Sequence, residues 1–226
     1  MTYPLFSIFC YIFSAIISFF TAWRLQSYYK KSPLRLARHF RNMALCNGIG
    51  STVDIFPLIF FVDNSFALGI GGIIGGMFFL AAHVYGLVIF FHLTFPHVPS
   101  KKIIIVGLVL IILFSMSHIK FFPHPEIDEN GIVRFNFPLY SMIIFALFSA
   151  AGLLPLGIAF VREAIREKHL RTRSSFLAFS FLLLVVANAL QSMVGPQLYV
   201  LAFLVLPTIA YITIFIAVIL RVKASF

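Results

Sequence analysis

The chain has 226 residues, of which 61% are hydrophobic, 17% aromatic and only 11% charged, and its mean hydropathy is +1.03. Soluble domains carry about 25% charged residues, so this composition excludes a soluble enzyme and predicts an all-α membrane bundle. The net charge of +10 would raise nucleic acid in a soluble protein, but here the basic residues must first be placed against the bilayer, because short-loop Lys and Arg set orientation.

Reading with a window of about 19 residues predicts seven spans in one domain. They lie at Leu5 to Trp23, Met43 to Val62, Phe66 to Leu93, Ile103 to Lys120, Leu139 to Val161, Ser175 to Val194 and Leu198 to Leu220. The second is interrupted by Asn47, Ser51, Thr52 and Asp54, and the fourth is short unless it runs on through His118. No basic n-region or small-residue cleavage site marks the first as a signal peptide, so it reads as a retained helix. Cys10 and Cys46 fall in apolar segments and read as small buried residues.

The charges sort by side. Arg24, Lys30, Lys31, Arg35, Arg38 and Arg41 precede span two; Lys101 and Lys102 precede span four; Arg162, Arg166, Lys168, Arg171 and Arg173 precede span six; Arg221 and Lys223 follow span seven. Lys120 and Arg134 lie on the other side, where Glu126, Asp128 and Glu129 outnumber them. This alternation predicts an N-terminus outside and a C-terminus in the cytoplasm of a bacterial inner membrane. Anionic headgroups are then the partners of the basic surplus, and nucleic acid is not.

Turns near Asp63 and Asn64 and near Gly195 and Pro196 make spans two and three, and six and seven, antiparallel neighbours. Between spans four and five, Ile127 to Val133 contains an Asn-Gly turn signal with apolar flanks, which reads either as a β-hairpin lid over the outer mouth or as an irregular capped loop. Gly71 with Gly75, and Gly72 with Gly76, form small-xxx-small pairs that permit close helix approach within the bundle or between two copies. Pro57, Pro155 and Pro207 each remove a backbone hydrogen bond inside a span and are the hinge candidates.

Asp54 is the only acid inside a span. A charge at membrane depth costs at least about 2.5 kcal/mol, which makes an intramembrane carboxylate a functional candidate by default. The carbonyl of Val53, freed by Pro57, adds a second polar group beside it. A structural Asp54 tying span two to its neighbours is the competing reading. His83 is the other deep titratable residue, with Tyr85 beside it, and Asn188 and Gln191 share one face of span six. Asp54, His83, Asn188 and Gln191 are therefore the ligand-binding or proton-binding candidates. Ordinary interhelical hydrogen bonds are the alternative for the two amides.

Cofactor readings fare poorly. His83 and His97 have a spacing that stacked b-type haems use, but the matching histidines would have to be His118 and His124, near the outer face while His97 is near the inner one. No HExxH or paired Cys/His spacing suggests zinc, and no lysine lies deep in a span to hold retinal as a Schiff base. No nucleophile set or phosphate loop is present, so no enzyme, cofactor or metal is expected.

One family resemblance emerges from the end of span three onward. Phe90, Phe91, His92 and Phe95 followed by Lys101 and Lys102, the external Asp128 to Gly131 loop, the aromatic entry Phe135, Phe137, Pro138 and Tyr140, and the basic link Arg162 to Arg173 resemble the N-terminal seven-transmembrane sensor region of bacterial histidine kinases. In that family an output domain follows the seventh helix, whereas this chain ends five residues after Arg221. The resemblance therefore implies a sensor-type bundle that acts through a membrane or cytoplasmic partner protein. It supplies no defined ligand residues. An accessory subunit of a membrane complex and a small transporter are the alternatives.

Overall fold

The structure, a computed structural model, describes residues 4–31, 34–127, 131–135, 137, 139–193 and 204–219, with backbone only at 31, 119, 120 and 191–193. Seven α-helices occur among the described residues: α1 (Leu5–Lys31), α2 (Arg35–Phe60), α3 (Ser65–Thr94), α4 (Ser100–Lys120), α5 (Leu139–Arg166), α6 (Arg171–Met193) and α7 (Leu206–Ile219). The first six are long and apolar enough to cross a membrane, the pattern of a multi-pass membrane protein; α7 is a shorter apolar helix as described.

Several helices outrun the apolar windows. α1 continues through Arg24 and Lys30, and α2 already begins at Arg35, so the basic stretch expected as a loop is mostly two helix ends. The physical reason is that hydropathy measures bilayer thickness, while a helix stops where its backbone is interrupted, and the sequence places a proline, Pro33, between the two helices. The same correction applies between α5 and α6, where helix reaches Arg166 and resumes at Arg171. The turn Gly195 and Pro196, the start of the seventh predicted span at 198–203, and Arg221 and Lys223 lie outside the described residues, as do Asp128, Glu129 and Asn130.

Helix neighbours follow a closed ring. α1 packs on α2, α2 on α3, α3 on α5, α5 on α6, α6 on α7, and α7 returns to α1. α4 stands outside this ring against α3, touching α5 only slightly, and presents Ile105, Val106, Val109, Ile112, Leu113 and Met116 outward. An apolar exterior of this kind is what lipid solvates.

Glycine sets the α2–α3 contact. A Cβ on Gly71 would meet the Pro57 ring, and one on Gly75 would meet the Asp54 carboxyl. Gly72 likewise leaves room for Phe135. These three serve packing within the bundle, whereas Gly76 has only Phe114 at 4.0 Å from its would-be Cβ. α2 runs unbroken through Pro57 and α5 through Pro155. Pro207 follows a π-type turn at Leu204 and Val205, a widened turn of the sort that bends helices.

Between α4 and α5, β1 (Glu126–Ile127) pairs antiparallel with β2 (Val133–Arg134) in the register Glu126 to Arg134 and Ile127 to Val133. Gly131 has φ 73°, a left-handed conformation that glycine adopts without strain. The hairpin docks into the bundle mouth. Val133 and Phe135 bury against Ile8, Leu58 and Leu68, and the Val133 N–H donates to Ser7 Oγ at 3.4 Å.

At the other end, Phe40, Phe160 and Phe181 join α2, α5 and α6 with centroids 5.9 to 6.3 Å apart. Hydroxyls stitch the ring elsewhere: Ser180 Oγ and Thr213 Oγ1 lie 2.5 Å apart between α6 and α7. The Asn47 amide donates to Ser18 Oγ of α1 at 2.7 Å.

Candidate ligand-binding site

Within the ring lies a partly open cavity of about 110 Å³ to which all seven helices and the hairpin segment contribute. Three of the four candidate residues, Asp54, His83 and Asn188, line it, together with Pro207, Gly72 and Gly76. α6 reaches Gln191, but that side chain lies outside the described residues.

Asp54 is placed by α2 with 3% exposure, and its Oδ1 has no hydrogen-bond partner among the described residues. The carboxyl occupies the space that Gly75 leaves empty on α3. Among the described residues no Lys or Arg lines the cavity, so Asp54 is a buried acid with no cation beside it among them.

His83 is differently situated. Its Nδ1 lies 2.6 Å from the Phe79 carbonyl, and a carbonyl only accepts, so Nδ1 carries a proton. Its Nε2 lies 3.1 Å from Asn188 Nδ2 and accepts from that amide. The second amide proton of Asn188 goes to Ser149 Oγ of α5. The chain Phe79, His83, Asn188, Ser149 therefore links α3, α6 and α5, with the His83 Nδ1 proton and both Asn188 amide protons matched to acceptors. Both ring nitrogens of His83 are engaged, and no group of three or more His, Cys, Asp or Glu poised for a metal occurs among the described residues.

Tyr85, beside His83 in the sequence, does not join it at the cavity. Two positions along a helix turn about 200°, and Tyr85 accordingly faces away from the cavity, toward His39 at 6.3 Å between centroids. His39 in turn lies 6.1 Å from His92 in the last turn of α3. His118, read as an edge residue, is buried: Nδ1 donates to the Phe114 carbonyl at 2.8 Å, and the ring packs edge-on to Phe137 at 5.4 Å. It supports the lid rather than the cavity wall.

Several lining groups escape the sequence reading. Tyr11 and Ser14 come from α1, Ser51 from α2, Ser141 and Phe145 from α5, and Thr208 and Tyr211 from α7. Ser14 Oγ and Thr208 Oγ1 lie 3.3 Å apart, while Ser141 Oγ is buried without a partner among the described residues. A signal existed for α1: Ser7, Ser14, Ser18 and Thr21 recur on one helical face, and all four are buried. In lipid, polar positions at that spacing mark the face turned into the bundle.

Phe135 and Phe137, stacked at 5.8 Å and 12°, close the cavity from the hairpin side. A second, smaller cavity of about 30 Å³ lies beyond, lined by Ser18, Thr21, Met43, Asn47 and others, and it shares His83, Leu184 and Tyr211 with the first. No family model matches the chain, and no curated protein matches it.

Proposed function

We propose that this chain is a non-enzymatic, seven-span protein of a bacterial cytoplasmic membrane, N-terminus outside, that binds a small lipophilic ligand in its central cavity and signals through partner proteins. The observation that carries the reading is the cavity beneath the two-stranded hairpin, lined by seven Phe and Tyr rings and by an acid that has no basic side chain beside it among the described lining residues. Ligand sites of this type are concave and largely apolar with a few directed polar groups. The placement of Arg24, Lys30, Arg35, Lys101, Arg166 and Arg171 on the helix ends opposite the hairpin supports the orientation.

Signalling requires two packings whose balance an occupant biases. Pro57, Pro155 and Pro207 are the proposed hinges. Pro207 joins this role to the site because it lines the cavity directly. The kinase-sensor resemblance agrees with such a module. The test is native mass spectrometry of the chain released from mild detergent, with Asp54→Asn and Phe145→Ala alongside. A co-purifying small molecule that both variants lose supports the reading; an empty wild-type chain whose stability no small molecule changes overturns it.

A second reading, an accessory subunit of a larger membrane complex, is favoured by the outlying position of α4. It predicts stoichiometric co-purification with other membrane proteins. A single species of this chain alone counts against it.

A further inference from the structure

Resting on the ligand-binding reading, we propose that the cavity takes a small organic ammonium ion, with Asp54 as its counter-charge, Ser141 as its second acceptor and the phenylalanine rings as its cage. Two buried oxygens of the cavity wall, Asp54 Oδ1 and Ser141 Oγ, have no partner among the described residues. Buried polar atoms are normally satisfied, and both of these can accept. A donor placed between them would satisfy both, and a positively charged one would in addition hold the Asp54 carboxyl in its ionised form, which burial alone disfavours. The His83 and Asn188 pair is already closed by Phe79 and Ser149, so it forms wall, and the polar pole of the site is Asp54 with Ser141.

The rest of the lining selects the kind of cation. Phe79, Phe114, Phe135, Phe137 and Phe145 surround the space, and aromatic faces attract ammonium groups while their edges pack against alkyl carbon. A metal ion needs six or more oxygens for the hard cations, and this wall is mostly carbon. An anion would meet Asp54 with no base to offset it. Size sets the scale of the group the cavity holds. A cavity of roughly 150 Å³ holds benzene, with its six heavy atoms, so 110 Å³ admits about four or five.

The test uses the full chain in lipid nanodiscs, titrated through the millimolar range with n-butylammonium chloride and, separately, with butan-1-ol, which has the same number of heavy atoms and no charge. Sodium chloride holds ionic strength constant. Calorimetry or a shift in melting temperature reads binding. Saturable butylammonium binding about tenfold or more tighter than butan-1-ol is expected, and Asp54→Asn is expected to remove that preference. Ser141→Ala weakens butylammonium alone by a smaller factor, and this variant carries the test if Asp54→Asn does not fold. Equal binding of the alcohol and the ammonium by the native chain overturns the cation assignment and leaves the ligand-binding reading intact. Binding of neither overturns both.

Discussion

His83 Nε2 lies 3.1 Å from the Asn188 amide nitrogen, although 105 residues separate the two in the chain. The contact ties α3 to α6 across the ring and depends on Nδ1 being held by Phe79. Hydrogen bonds between membrane helices average about 0.6 kcal/mol and reach about 1.7. A double-mutant cycle with His83→Leu and Asn188→Leu, read by thermal unfolding in detergent, is expected to give a coupling within that range. Strictly additive single effects would mean that the two side chains do not support each other.

Adjacent glycines should behave oppositely. Gly75→Ala places a Cβ against the Asp54 carboxyl, whereas Gly76→Ala meets only Phe114 at 4.0 Å. Overpacking of this kind costs about 1–3 kcal/mol, and the neighbouring change is expected to stay within about 0.5 kcal/mol. The same melting assay compares them. A Gly76→Ala variant that is the less stable of the two would contradict the assigned helix faces.

The lid can be probed with a native thiol. Cys10 lines the cavity that Phe135 helps to close, and Cys46 can be removed as Cys46→Ser. In that background Phe135→Ala is expected to raise the rate at which a small methanethiosulfonate modifies Cys10 by several-fold. An unchanged rate would show that the hairpin does not govern entry.

Orientation is tested at two exposed acids. Asp63→Cys, in the turn between α2 and α3, is expected to react with an impermeant maleimide on intact cells. Glu167→Cys, between α5 and α6, is expected to react only after the cells are opened. The reverse pattern would invert the topology that the charges imply.

What could be read in advance follows from what each residue reveals alone. Asp54 and His83 stand out in apolar runs, and lipid makes any such group conspicuous. Asn188 was legible for the same reason. Tyr211, Ser141 and Thr208 are individually unremarkable in span sequences, and their part in the cavity depends on helix rotation, which composition does not encode. Tyr85 shows the opposite failure: nearness to His83 in sequence concealed a turn of about 200°. Likewise, Arg24 and Arg162 mark where the apolar windows end, yet the helices continue through them, as long basic side chains can reach water from within a helix.

The two cavities have a common partition. His83, Leu184 and Tyr211 belong to both, so the floor of one is the roof of the other. The space beside Met43, Ala44 and Asn47 of α2 and the space beside Asp54 and Ser141 are thus walled in common by one aromatic side chain, so a substitution at Tyr211 reshapes both voids at once.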